Sequence, residues 1–203
     1  SSVVEIKNLK IFIPTNKIYS KTEINIEGFE IHNTNIYFNI KDILDFRNHL
    51  YYKINKPIYI KKSKFFLLDK NKKTILISPI KKIKYLINNK NNSKELKIKG
   101  NIFDVDYYSF WKRDYDNPNK TLNEIRLKNP NLFIKNFFSF KGKLFFKGKS
   151  SINFLNEDII INYLMKDSKI YIDSPNQNSS QKIKLNSKIE LDPFFFDAKI
   201  NIA

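Results

Sequence analysis

The chain has no cysteine, which excludes disulfides and thiolate metal sites. Four glycines and seven prolines among 203 residues are too few for a collagen-like or linker-like polypeptide. Arginine occurs only at Arg47, Arg113 and Arg126, alanine only at Ala198 and Ala203, and histidine only at His32 and His49. No apolar run approaches the ~18 residues that span a bilayer; blocks such as IYFNI and PFFFDA are strand-sized. No signal-peptide pattern opens the chain, which starts at Ser1 without an initiator methionine and enters a strand pattern almost at once. It reads as a fragment, with any targeting sequence or anchor outside it.

What is present argues for an ordered β protein. Hydrophobic residues make up 41% and aromatics 15%, too apolar for widespread disorder. A compact chain of this size buries roughly 70% of its unfolded surface. The formal charge is +17 and almost wholly lysine. Such a charge attracts polyanions: nucleic acid, anionic lipid or acidic polysaccharide. The plainer reading is solvated lysine on exposed strand faces. Abundant Lys, Ile, Asn, Phe and Tyr also fit an AT-rich genome, which raises lysine through codon composition alone.

Period-2 alternation dominates, the signature of half-buried strands. It predicts strands at 3–14, 21–40 as one long strand or two joined at Gly28, 56–68, 73–79 with a continuation to 87, 95–112, 121–128, 131–138, 142–155, 158–165, 168–173, 181–191 and 194–202. The polar DKNKK between the third and fourth predicts a hairpin. One segment predicts a helix: in 41–50, Ile43, Phe46 and Leu50 recur at helical spacing, with Asp42 near the start. Thr121 and Glu124 match a capping box, but the residues after them alternate and meet Pro130, so a strand is preferred there.

Three glycines close the same pattern, apolar-x-apolar-x-Gly, at Gly28, Gly100 and Gly148; Ser187 closes a fourth copy. Around 96–111 the alternation changes phase, from Leu96, Ile98 and Ile102 to Phe103, Val105, Tyr107 and Trp111. Similar changes follow Gly28 and Pro193. A β-bulge explains them, since one extra residue shifts parity while apolar side chains keep their face. Two shorter strands joined at a corner explain them equally well.

Catalytic constellations are absent from the pattern. Asp104 and Asp106 stand two apart on a strand, where exposed aspartates are common. DYDNPN at 114–119 starts like a calcium loop, but the sixth position is Asn119 and the twelfth Ile125. No phosphate loop or nucleophile elbow occurs. Aromatics interleaved with lysines, as in WKRDY, suit single-stranded nucleic acid. They also fall where a buried strand face wants them, and the RNA-binding sheet motif is missing. We expect no catalytic residue, metal, cofactor or nucleic-acid partner.

Several stretches resemble the AsmA-like family of Gram-negative envelope proteins, with its TamB-type relatives. They are VVEIKNLKIFIP, KPIYIKKSKF, the run from Leu96 through Ile134 and the tail SKIELDPFFFDAKINI. The likeness lies in Gly100 with Phe103, in Trp111-Lys112-Arg113, in Asn129-Pro130-Asn131-Leu132 and in Leu191-Asp192-Pro193-Phe194. It covers roughly 3–40 and 56–202. It implies a periplasmic protein held in the inner membrane by a helix outside this fragment. It further implies a long coiled sheet forming an apolar groove that carries phospholipid toward the outer membrane, with no catalytic residues.

The expectation is therefore one mainly all-β domain over 1–203: a long, antiparallel, strongly twisted and bulged sheet forming an open groove, with one short helix near 41–50. Candidate lipid-contacting residues are Ile24, Ile26, Leu96, Ile98, Phe103, Val105, Leu144, Phe146, Phe194 and Phe196. Phospholipid is the expected partner, with other envelope proteins as further possible partners. Two other functions compete: a closed structural or adhesive β-domain, and a basic nucleic-acid-binding sheet.

Overall fold

The structure, a computed structural model, describes residues 3–14, 26–39, 55–69, 71–88, 93–114, 120–140, 146–154, 157–166, 169–174, 183–191 and 194–202. Nearly all of these are in strands, and there is no helix among them. The helix expected near 41–50 lies outside the described residues. Among the described residues, fifteen strands hydrogen-bond into one mostly antiparallel sheet that does not close on itself. Packing divides the chain into two compact units, Ser1–Tyr108 and Ser109–Ala203, where the sequence suggests one domain.

The first unit holds β1 (Val3–Glu5), β2 (Asn8–Phe12), β3 (Gly28–His32), β4 (Asn35–Asn39), β5 (Ile58–Leu68), β6 (Thr74–Asn88), β7 (Ser93–Ile102) and the start of β8 (Val105–Asp114). β5, β6 and β7 form an antiparallel meander. β3 and β4 lie parallel to the two halves of β5, and β2 and β1 pair antiparallel outside them. The expected β5–β6 hairpin is present. Asp69 organises its turn, its Oδ1 accepting from the Asn71 and Lys73 backbone N–H groups at 2.8 Å each.

The phase change at 96–111 is neither a bulge nor a corner. The chain reverses there. Phe103 and Asp104 have φ of 49° and 62° and form the two-residue turn between β7 and β8. Positive φ at both central residues is the mark of the turn whose twist matches a hairpin. The change near Pro193 has the same origin: Leu191 and Phe194 are paired neighbours on antiparallel strands. Phe103 fits its place poorly, since left-handed backbone costs an ordinary side chain about 1–2 kcal/mol. The double variant Phe103→Asn with Asp104→Gly should raise the thermal midpoint of the first unit, as read by circular dichroism. An unchanged or lower midpoint would refute this account of the turn.

The irregularities lie elsewhere, and they line up across strands. Asn33, between β3 and β4, and Lys62 in β5 have φ of 53° and 50°. In β6, Lys81 is an extra residue opposite β7, where Ile80 pairs with Gly100 and Lys82 with Lys99. The registers place Asn33 beside Lys62 and Lys62 beside Lys81. Hydroxyls repair the broken ladder. Ser63 Oγ accepts from Thr34 N–H at 3.2 Å, and Ser78 Oγ donates to the Asn101 carbonyl at 2.9 Å. Pro79 sits beside this break, where the absence of an N–H is tolerated.

The second unit continues β8 and adds β9 (Lys120–Leu127), β10 (Leu132–Phe140), β11 (Phe146–Phe154), β12 (Glu157–Lys166), β13 (Lys169–Asp173), β14 (Ile183–Leu191) and β15 (Phe194–Ile202), an antiparallel meander. The capping-box residues Thr121 and Glu124 are in β9, as the alternation requires.

Candidate functional site

Where β2, β3, β5, β6 and β7 pair, the register sorts side chains by face. Two cross-strand rows are wholly apolar: Leu9–Ile31–Ile60–Ile83–Ile98 and Ile11–Phe29–Ile58–Tyr85–Leu96. The rows of the opposite face read Asn8–His32–Lys61–Lys82–Lys99 and Lys10–Glu30–Tyr59–Lys84–Lys97. Five strands at about 4.8 Å make each row about 19 Å across.

The apolar face is only partly covered. Among the described residues, the buried apolar side chains are Ile36, Phe38, Ile80, Tyr85, Ile161 and Met165. Tyr85 anchors the face, packed against Ile58, Ile87 and Leu96. Toward β1 and β2 it opens outward, leaving Val4, Leu9 and Ile11 about half exposed. A two-layer core of this length would bury far more, because sandwiches hide one face of every strand.

The polar face carries charge. Glu30 accepts from Lys61 Nζ at 2.5 Å and meets His32 Nε2 at 2.7 Å. Hydrogen bonds from Lys61 first, then from His32, pull the Glu30 carboxyl down to about 2 from an ordinary 4.5. A lowered folded-state value means that this stabilisation is present above pH 4.5 and is lost as pH falls toward 2. Acid melts should therefore show a loss across that window, and Glu30→Gln should remove it. An unchanged profile in the variant would refute the assignment. Nearby, Lys84, then burial, then Lys61 and Lys99 lower the pKa of the Lys82 ammonium, with Glu30 opposing them.

The second unit has its own apolar face. One row joins Phe146, Met165, Ile170, Ile189 and Phe196 across five strands, and a shorter one joins Ile125, Ile134, Ile152 and Ile159. Aromatic rings line the same face: Trp111 meets Phe138 edge-on at 5.8 Å, and Phe146 meets Tyr163 at 6.0 Å. Burial pushes the Tyr163 hydroxyl up to about 12.

A polar ladder crosses this face. Ser109 Oγ accepts from Trp111 Nε1 at 2.8 Å and from Asn123 Nδ2 at 3.1 Å. Asn136 Nδ2 donates to Asn123 Oδ1 at 3.1 Å, and Ser150 Oγ donates to Asn136 Oδ1. Four strands are thereby keyed together, because a slip of one residue would send each partner to the other face.

The sequence-derived candidates separate on this frame. Leu96 and Ile98 sit in the two apolar rows of the first unit; Phe146 and Phe196 share one row of the second, with Phe196 57% exposed. Val105 is half-buried on β8, and Ile26 is half-buried just before β3. Phe194 holds the register position opposite Leu191. Phe103 is not on a strand face at all: it is 82% exposed at the hairpin tip, because the chain reverses where the alternation suggested a bulge. Ile24 and Leu144 lie outside the described residues.

Sequence reasoning missed Leu9, Ile11, Phe29, Ile31, Ile58, Ile60, Ile83 and Tyr85. Each carries the period-2 signal, but which of them align is set by register between distant strands. Among the described residues, no cluster of His, Asp and Glu could hold a metal ion. No helix among them is long and apolar enough to cross a membrane.

Comparison with known proteins finds no matching family model, no matching curated protein and no matching solved structure.

Proposed function

We propose that this chain is a non-enzymatic lipid-handling segment whose uncovered apolar sheet face receives the acyl chains of phospholipid. The observation that carries this reading is the pair of unbroken apolar rows in the first unit, half-exposed at Leu9 and Ile11 on their β2 end and backed by charged rows. Their span of about 19 Å is similar to the ~15 Å depth of one leaflet's hydrocarbon. Each methylene removed from water there contributes roughly 0.8 kcal/mol. Contact is spread over many side chains with no polar anchor among them, so a tail can slide along the face.

The resemblance to AsmA-like proteins agrees with this reading and extends it to envelope biogenesis. On that extension the chain works in the periplasm, tethered to the inner membrane through a segment outside this sequence, and passes phospholipid toward the outer membrane. A closed structural or adhesive domain is less well supported, because a sealed core would bury Leu9 and Ile11 as fully as Tyr85. Nucleic-acid binding is less well supported, because the charged rows of the first unit offer only the Tyr59 and His32 rings for stacking.

Native mass spectrometry of the purified chain tests the reading. Co-purifying phospholipid is the expected result. A chain free of lipid that also fails to take up phospholipid from vesicles would overturn it.

A further inference from the structure

The second unit has a depression of about 830 Å³ on the face opposite its aromatic stripe. Two adjacent rows form it: Lys120–Ser139–Lys147–Leu164–Tyr171 and Leu122–Phe137–Lys149–Asn162–Asp173. The size is that of a small-molecule site, roughly 300–1,000 Å³. Two chemistries meet in it. Leu122, Leu164, Phe137 and Tyr171 supply an apolar floor, with Phe137 53% and Tyr171 44% exposed. Lys147 and Lys149 on β11 stand between the Leu122–Phe137 pair and the Leu164–Tyr171 pair, with Lys120 on β9 and Lys112 also lining the depression.

Three of these lysines carry uncompensated charge. Lys61, Lys81, Lys97, Lys169 and Lys188 each meet a carboxylate within 3.4 Å. Lys120, Lys147 and Lys149 have no such partner among the described residues. Asp173 is the one carboxylate among the lining residues. Lys135 adds a further cation, its Nζ 5.2 Å from the Phe137 ring. The register sets Lys120 and Lys147 two strands apart, about 10 Å, with Lys149 one row away. In the first unit Lys82, Lys84 and Lys99 likewise meet no carboxylate among the described residues, but the rows they stand in are charged and polar apart from Tyr59.

We propose that this depression binds an anionic amphiphile, its alkyl tail on Leu122, Phe137, Leu164 and Tyr171 and its acidic head among Lys120, Lys147 and Lys149. The site is independent of the apolar face assigned to phospholipid tails. It differs in kind, since it selects for head-group charge. A neutral lipid leaves the three ammonium groups without a counter-charge, and a free anion leaves the floor wet. Single-stranded nucleic acid is less suited, because two of the four floor residues are leucines that offer no ring for stacking.

Titration calorimetry on the full chain below the micellar concentration tests this with three probes. Dodecyl phosphate carries both chemistries, dodecyl maltoside the tail alone and inorganic phosphate the charge alone. Dodecyl phosphate should bind at least tenfold more tightly than either of the others, and the preference should shrink as salt rises. The triple variant Lys120→Gln, Lys147→Gln, Lys149→Gln should lose at least tenfold for dodecyl phosphate and leave dodecyl maltoside unchanged. These lysines are exposed, so its melting curve should match the parent's. Phe137→Ser should weaken both alkyl probes.

Ile98→Asp, in the other unit, should leave dodecyl phosphate binding intact, which separates this site from the phospholipid face. Equal affinity for the two alkyl probes, an unaffected triple variant, or tighter binding of a single-stranded oligonucleotide would overturn the proposal.

Discussion

Ile98→Asp is expected to strip co-purifying phospholipid at least tenfold while the chain still folds. Lys99→Gln, one residue away, is expected to do neither. The two side chains leave β7 on opposite faces: Ile98 ends the row through Ile83, Ile60 and Ile31, and Lys99 ends the row through Lys82 and Lys61. A carboxylate at position 98 must either shed its water against an acyl chain or hold the chain away from the row. Shedding water costs an unpaired charge several kcal/mol, and tenfold in affinity needs only about 1.4 kcal/mol. On an uncovered face the carboxylate can reach solvent when no lipid is present, so the thermal midpoint should fall only modestly. In a sealed core the same substitution would unfold the unit. Circular dichroism together with lipid mass spectrometry therefore separates the groove from a closed domain. An unfolded Ile98→Asp, or a folded one with its full lipid load, would defeat the proposed function. Phe146→Asp makes the same test in the second unit, in the row that reaches Phe196.

Gly148→Ala should destabilise the second unit by about 2–3 kcal/mol, the upper range for overpacking. A methyl group there would stand 2.5 Å from the Tyr163 ring and 2.7 Å from the Phe137 carbonyl oxygen. The ring can swing aside, but the carbonyl belongs to β10 and is fixed by the ladder between β10 and β11. Shortening the tyrosine with Tyr163→Leu should therefore rescue Gly148→Ala only in part. Full rescue would show that the ring alone sets the requirement for glycine. No destabilisation in the single variant would refute the close approach altogether. Denaturant melts of the single and double variants measure both outcomes. Gly100 meets a similar limit against Tyr107 and the Pro79 carbonyl, so two of the recurring glycines mark places where a tyrosine from the next strand lies across the backbone.

That role for glycine explains where reading the sequence succeeded and where it stopped. Period-2 alternation located the strands of the second unit to within a few residues, because a strand's own side chains report which positions are covered. It also carried β6 through Pro79 and rejected a helix at Thr121–Glu124. The phase change before Val105 was visible, but its cause was not. A bulge and a tight reversal shift parity alike, and Phe103-Asp104 lacks the Asn-Gly signature that would have announced a turn.

The division between local and non-local causes runs through the candidate sites as well. Alternation by itself determined an all-β chain with a greasy side and a lysine side, since each strand's two faces are written in consecutive residues. It placed Ile98 and Phe146 among the candidates for the same reason. Only tertiary structure decided that Leu9, Ile31, Ile60, Ile83 and Ile98 form one row, and that Lys120, Lys147 and Lys149 gather around Leu122 and Phe137. Those alignments depend on hydrogen-bond register between strands far apart in the chain. A shift of one residue in that register reverses every side chain while leaving the local pattern unchanged.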